Sequence, residues 1–393
     1  MEKVKLGDVS ILINGDRGKN YPSQADITEN GAIPFVNAGH LNGRNIDFDE
    51  MNYISQDKYD KLSSGKFQKG DILYCLRGSL GKKAIVNNDV NGAIASSLVI
   101  IRPDKDRVSG EYLMLALDSP AIKEQLVKAN NGSSQPNLSA ASVREYEIEL
   151  PELSSQSKVV EKLAKVRNVI DRRQQELTLL DDLIKARFVE LFGDVTTGNY
   201  KYETRKLGDV ANVGSSHRVF TTEFVEEGIP FYRGTEIGEL ANGIKPTEPY
   251  YISEEHYNRL ANDDTKPQIG DLLMPSICNK GQVWMVDTDK PFYYKDGRVL
   301  CISPDRQIFN TKYLEYFMRV KTLVEYPKLG SGSTFAEFKI FLLKDIDVLI
   351  PPRELQNQFA DFVKQVDKSK VAVKKALDEA QLLFDSLMQK YFG

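Results

Sequence analysis

Lys5-Leu6-Gly7-Asp8-Val9 returns as Lys206-Leu207-Gly208-Asp209-Val210, and from there the chain repeats itself in order. Ile33-Pro34-Phe35 recurs as Ile229-Pro230-Phe231, Tyr53-Ile54-Ser55 as Tyr251-Ile252-Ser253, Gly70-Asp71-Ile72-Leu73 as Gly270-Asp271-Leu272-Leu273, and Gly132-Ser133 as Gly332-Ser333, each pair shifted by 196 to 201 positions. Both copies close alike: Pro151 and Pro351 each precede a long helical pattern that stops at Phe-Gly, at Phe192-Gly193 and Phe392-Gly393. Solenoid repeats run roughly 20 to 50 residues. This unit is a whole domain plus a helix, made twice, and two equivalent modules point to a ligand read at two places.

Within a copy, short β-branched and aromatic runs are broken by Gly, Asn and Asp. Ile72-Leu73-Tyr74-Cys75-Leu76, a turn at Arg77-Gly78-Ser79-Leu80-Gly81, and a resumption at Ala84-Ile85-Val86 are hairpin grammar. Ser97 to Ile101 is a further strand, ended by Arg102-Pro103-Asp104. Helices are the minority, with short ones expected at Ser55 to Leu62 and across Gly110 to Lys128. The same succession fills Tyr200 to Pro352, so each module is a mixed domain around a largely antiparallel sheet.

The closing segments differ in kind. Val159, Leu163, Val166, Ile170, Leu177, Leu180 and Ile184 follow steps of 3 and 4 broken only at Arg173, a heptad seam. Phe359, Phe362, Val366, Val373, Leu383 and Leu387 continue the alternation in the second copy. With no globular core of their own to pack on, the two stripes are expected to pack on each other, and the connectivity makes them antiparallel. The expected fold class is α+β: two similar sheet-rich modules at residues 1–151 and 194–352, and two long helices at 152–193 and 353–393, paired as an antiparallel coiled coil with pseudo-two-fold symmetry.

At 393 residues, 41% hydrophobic and 27% charged, the composition is that of a globular protein with room for two or three cores. No run of 18 apolar residues and no secretory leader is visible, so a cytoplasmic protein without membrane contact is expected. Cys75, Cys278 and Cys301 are too few and too scattered for a disulfide framework and read as reduced, buried, small hydrophobes.

Enzyme signatures are missing. Gly78-Ser79-Leu80-Gly81-Lys82-Lys83 lacks phosphate-loop spacing, and nothing resembles the element with which amino-group methyltransferases hold a flipped base. His40, His217 and His256 have unrelated spacings, which argues against a metal site or a catalytic triad. No cofactor is expected in this chain.

What the turns hold is hydrogen-bonding equipment. Asn37, His40, Asn42 and Arg44 share one Gly-punctuated loop; Arg77, Ser79, Lys82 and Lys83 share a second; Ser133, Ser134, Gln135 and Asn137 share a third. The second copy places Arg233, Thr235 and Glu236, then Ser276, Asn279 and Lys280, then Ser331, Ser333, Thr334 and Phe335 at corresponding points. Arg pairs two-pronged with guanine, Asn or Gln with adenine, and Lys or Ser with phosphate. Arg77 and Gln135 stand out because each lies beside Gly or Ser, where a backbone can approach a duplex closely. The formal net charge of −4 cuts against unaided DNA binding. Positive charge must therefore be gathered on one face, or a partner must supply phosphate contacts.

The ordered, duplicated set (Lys-Leu-Gly-Asp opening, Ile-Pro-Phe strand, Gly-Asp-Ile-Leu hairpin with Arg77-Gly78, and Gly132-Ser133-Ser134-Gln135-Pro136-Asn137-Leu138 leading to Pro151 and a long helix) resembles the specificity (S) subunit of type I restriction-modification systems across essentially the whole chain. The resemblance implies a non-catalytic subunit with two target recognition domains, each reading half of a split site in double-stranded DNA, and helices that act as a ruler. It implies two modification subunits that bind S-adenosylmethionine and methylate adenine N6, and restriction subunits that use ATP and Mg²⁺. Gln135-Pro136-Asn137-Leu138 in one copy stands against Thr334-Phe335-Ala336-Glu337-Phe338 in the other, so the two half-sites are expected to differ. The competing reading is a duplicated scaffold that docks proteins through its helices and reads no DNA.

Overall fold

The computed structural model describes residues 2–130, 136–261, 265–329 and 336–393. The chain forms two compact units, one of Met1–Gln175 with Lys374–Gly393 and one of Glu176–Val373. The division cuts through both long helices, α1 (Leu153–Phe192) and α2 (Arg353–Phe392), so each unit owns one half of each.

In the first unit, one four-stranded sheet has the antiparallel order Ser10–Asn14, Leu98–Pro103, Ile72–Cys75, Lys83–Ile85. A second has the order Tyr53–Ile54, Ile33–Val36, Gly92–Ile94, Lys66–Phe67, with one parallel pairing between Ile33–Val36 and Gly92–Ile94. The second unit repeats the first sheet with Ala211–Gly214, Val299–Pro304, Leu272–Pro275 and Trp284–Met285. It repeats the parallel pairing between Ile229–Tyr232 and Tyr293–Tyr294. Register is conserved to the residue: Ile33 faces Ile54 and Pro34 faces Tyr53, as Ile229 faces Ile252 and Pro230 faces Tyr251.

The duplicated motifs are local solutions used twice. The N–H of Leu6 donates to the Tyr146 carbonyl at 2.7 Å and that of Leu207 to the Ile346 carbonyl at 2.8 Å, docking each opening motif on the segment ahead of its closing strand. The glycine that follows permits the approach, since a Cβ on Gly7 would stand 2.2 Å from Arg144 Cγ. In Tyr-Ile-Ser, the hydroxyls of Ser55 and Ser253 accept from the N–H of Lys58 and His256, capping a short helix each time. Gly70 and Gly270 take φ of +91° and +85°, which an L side chain adopts only with strain. Asp71 and Asp271, buried beside them, are met by Arg102 at 2.8 Å and Arg306 at 2.7 Å. Burial pushes the Asp271 carboxyl above its usual range.

The helix expected across Gly110 to Lys128 is two helices, Gly110–Ala116 and Pro120–Ala129. Pro120 cannot continue the first and begins the second behind a Ser119 cap. The second unit has no proline there and runs unbroken over Thr311–Glu325.

Inside each unit the long helices run antiparallel. In the first, Lys162 Nζ reaches the Tyr391 hydroxyl at 3.4 Å and Arg167 lies 5.0 Å from the Phe384 ring centre. In the second, Lys370 pairs with Asp181, and the Phe188 and Phe359 rings meet edge-on at 5.3 Å. Val159, Leu163, Ile170, Ile184, Phe359, Val366 and Val373 are buried, and Val166, Leu177, Leu180, Phe362 and Leu387 partly so. Leu383 departs from the expected seam. It is 51% exposed, and Phe384, Leu387 and Met388 face inward instead, because after Ala380 the stripe takes a step of four. The expectation of helices without a globular core is also corrected: Val159, Leu163, Met388 and Phe392 share one continuous core with the first module, and Ile184, Phe188, Phe192, Phe359 and Val363 share one with the second.

Candidate nucleic-acid interface

Arg77 and Asn137 come from loops 60 residues apart and are joined as an isolated antiparallel bridge. The N–H of Leu138 donates to the Leu76 carbonyl at 2.8 Å, and that of Gly78 to the Pro136 carbonyl at 3.3 Å. Backbone pairing thus fixes the neighbourhood while both side chains remain exposed. Ser79 is exposed in the turn that follows. Ser133, Ser134, Gln135, Ser331, Ser333, Thr334 and Phe335 lie outside the described residues.

The remaining predicted groups divide into those that stay open and those the fold already uses. Asn42 is exposed on a two-residue hairpin between Leu41–Asn42 and Asn45–Ile46. Asn37 caps a short turn, its Oδ1 accepting from the Gly39 N–H at 2.7 Å, and the His40 Nδ1 accepts from the Asn37 N–H at 3.1 Å. His40 is buried, and desolvation lowers its pKa below the ordinary 6.5, so it buttresses the loop as a neutral ring. Arg44 is turned onto Glu111. Lys82 donates to the Ala38 carbonyl at 2.9 Å and ties the first two loops together. Lys83 lies on the opposite face of its strand, buried, in an ion pair with Asp118, and burial lowers its pKa.

In the second unit, Thr235, Asn279 and Lys280 are exposed. Arg233 is held by Glu236, whose Oε2 also accepts from the Arg233 N–H at 2.8 Å, and its guanidinium lies 4.5 Å from the Tyr250 ring centre. Ser276 is buried, its N–H donating to the Arg298 carbonyl at 2.8 Å and its carbonyl accepting from the Phe338 N–H at 2.7 Å. This is the joint that Leu76, Ser97 and Leu138 make in the first unit. Ile277 therefore stands where Arg77 stands, and Glu337 where Asn137 stands.

Sequence reasoning passed over four charged groups in these regions. Arg17 is exposed and donates to the Ser96 carbonyl at 3.3 Å, next to the joint residue Ser97. Its loop is pinned by the buried Asp16, which accepts from the N–H of Gly18 and of Ser63, each at 2.7 Å. Those backbone donors hold the Asp16 carboxyl below its usual range. Arg218 faces Asp296 at 3.6 Å, and Arg298 and Lys339 converge on Glu337. No motif signals these residues; only the shared joint brings Arg298, Glu337 and Lys339 together.

Residues 1–180 and 199–381 match the family described as the type I restriction modification DNA specificity domain, once per copy. The chain belongs to that family. Among characterised relatives, the chain is 23% identical over 359 residues to the type I restriction enzyme MjaIX specificity subunit of Methanocaldococcus jannaschii, a match spanning 86% of this chain and 80% of that protein. The fold is similar to that of the type I restriction-modification S subunit from M. genitalium, with a TM-score of 0.56 and 15% identity over 100% of this chain and 96% of that one. It is also similar to a chain solved in a study of complex assembly and conformational transition of the type I R-M system, with a TM-score of 0.63 and 20% identity over 99% and 97% of the two chains. The duplicated joint holds closely similar backbone pairing and two different sets of side chains. No helix of the described residues is long and apolar enough to cross a membrane.

Proposed function

We propose that this chain is the DNA-reading subunit of a type I restriction-modification assembly in the cytoplasm, each unit reading one half of a bipartite, asymmetric target. The observation that carries the reading is the shared joint. Two backbone hydrogen bonds, made alike in both units at Leu76 and Ser276, flank Arg77 and Asn137 in one unit and Ile277 and Glu337 in the other. Arg and Asn match guanine and adenine edges, whereas a carboxylate accepts from cytosine N4. Two frames that are alike in backbone and unlike in chemistry suit two unlike half-sites.

The paired helices set the gap between half-sites and dock two modification subunits. Their outward faces support this: Leu179 and Leu183, one turn apart on α1, are 59% and 48% exposed, and Leu382 and Leu383, at the equivalent level of α2, are 72% and 51% exposed, so apolar surface gathers at the same place on each helix. Chemistry belongs to the partners: modification subunits would bring S-adenosylmethionine, and restriction subunits would bring ATP and Mg²⁺. Partners that share phosphate contacts also account for a DNA reader whose own net charge is −4.

A methylation map of the host genome, with this gene intact and deleted, tests the reading. One two-part, non-palindromic methylated motif should vanish on deletion. A map unchanged by deletion would overturn the proposal.

A further inference from the structure

At the joint of the second unit, Glu337 Oε2 accepts from Arg298 Nη1 at 2.7 Å and from the buried Ser276 hydroxyl at 3.4 Å, while Oε1 pairs with Lys339. These interactions, the Lys339 pairing foremost, hold the Glu337 carboxyl below its usual range. The carboxylate is largely enclosed, with 19% of its side chain exposed, and the Arg298 side chain stands open at 58%. A backbone joint does not need these charges: the first unit builds the same one with Ser97, Asn137 and Ser139 at the corresponding positions. The charges are thus additional to the joint, and they place an open guanidinium beside a carboxylate whose position is already fixed.

We propose that Arg298 and Glu337 form a preassembled reader of one G·C base pair in the half-site read by the second unit. The inference rests on the DNA-reading function above and assigns it a base pair. In the major groove a G·C pair offers two acceptors, guanine N7 and O6, followed by one donor, the cytosine N4 amino group. Arg298 supplies donors and Glu337, directly beside it, an acceptor, the complementary order. Arg298 has five N–H groups, and the 2.7 Å contact to Glu337 commits one of them. An A·T pair sets thymine O4 where the cytosine amino group would be, so the carboxylate would meet an acceptor. Lys339 and Ser276 fix the Glu337 rotamer before DNA arrives, which removes part of the ordering cost of binding.

The test is selection from a randomised duplex library by the full chain assembled with its modification subunits, comparing wild type, Arg298→Ala and Glu337→Gln. Wild type should enrich a two-part motif. Each variant should lose about 10-fold or more of the preference at one G·C pair, the same pair for both, with the other half-site untouched. Unchanged thermal melting of both variants shows that the fold is intact. If both variants enrich the wild-type motif, or lose both half-sites alike, the G·C assignment is overturned and DNA reading stands. If the wild type enriches no motif, the DNA-reading function itself falls with it.

Discussion

Gln156 and Gln356 make the same three hydrogen bonds, one set in each unit. Gln156 Oε1 accepts from the Ser109 N–H at 2.9 Å, and its Nε2 donates to the Arg107 carbonyl at 2.8 Å and the Pro151 carbonyl at 2.9 Å. Gln356 does the same with Asn310, Ile308 and Pro351 at 2.8, 3.0 and 2.8 Å. Both side chains are fully buried and lock the first turn of a long helix to the module before it. Gln156→Leu roughly keeps the volume and orphans three backbone groups, each costing about 1–3 kcal/mol where it stays buried and unpaired, so the loss should be at least about 3 kcal/mol. Chemical denaturation would register this, and a midpoint equal to wild type would show that the lock is dispensable.

Arg77→Ala and Asn137→Ala should each relax base preference in a single half-site, by about 1–3 kcal/mol per lost contact. Competition binding with duplexes substituted one base pair at a time measures it. A uniform loss of affinity across all duplexes would instead make these groups phosphate contacts.

His40 carries a pH signature. Its folded pKa is lowered by burial, so the unfolded chain takes up the proton first as pH falls. The neutral ring's contribution to stability is complete above the ordinary value of 6.5 and is lost progressively as pH drops below it toward the folded pKa. Loosening of the 37–42 loop, followed by amide exchange, should set in below that value in the wild type and be absent from a His40→Gln variant. A His40 ring that titrates above 6.5 by NMR would contradict the assignment.

Leu183→Asp and Leu383→Asp should leave the fold intact, since both side chains are about half exposed, yet impair recruitment of modification subunits. Analytical ultracentrifugation of the reconstituted assembly separates the outcomes. Full recruitment by the double variant would place the docking surface elsewhere.

The helices can be lengthened as a pair. Seven residues added after Gln175 in α1 and seven before Lys374 in α2 extend each by about 10 Å at ~1.5 Å per residue. The unread gap should grow by roughly three base pairs, at ~3.4 Å each, with the half-site bases unchanged. Methylome sequencing of a strain carrying the altered gene gives the answer, and an unaltered gap would show that the helices do not set it.

The duplicated architecture was legible because local chemistry carries it: capping serines, turn glycines and 3-4 apolar steps each act over a few residues. The Gln156 lock left a trace that went unread, a glutamine five residues after Pro151 and again after Pro351. Leu383 misled because Leu382-Leu383-Phe384 offers three adjacent apolar choices, and only packing selects Phe384. Lys82 and Lys83 look alike in sequence, but strand alternation sends one to a loop carbonyl and buries the other. Arg44 reads as an open turn residue until its partner Glu111, 67 residues on, is in view. Nothing local tells which loops meet, so the Arg298–Glu337 cluster could not be found before the strands were paired.

The Phe392 ring packs at a tilt against Tyr112 at 5.1 Å, and its counterpart Phe192 meets Tyr313 edge-on at 4.9 Å, so each module is finished by the tail of the other repeat. A single repeat would carry both plug and socket of this joint, yet could not insert its own plug. Two identical copies would complete each other by exchanging tails, and identical readers impose a palindrome. Fusing the copies in one polypeptide frees them to diverge, as Ile277 has from Arg77 and Glu337 from Asn137.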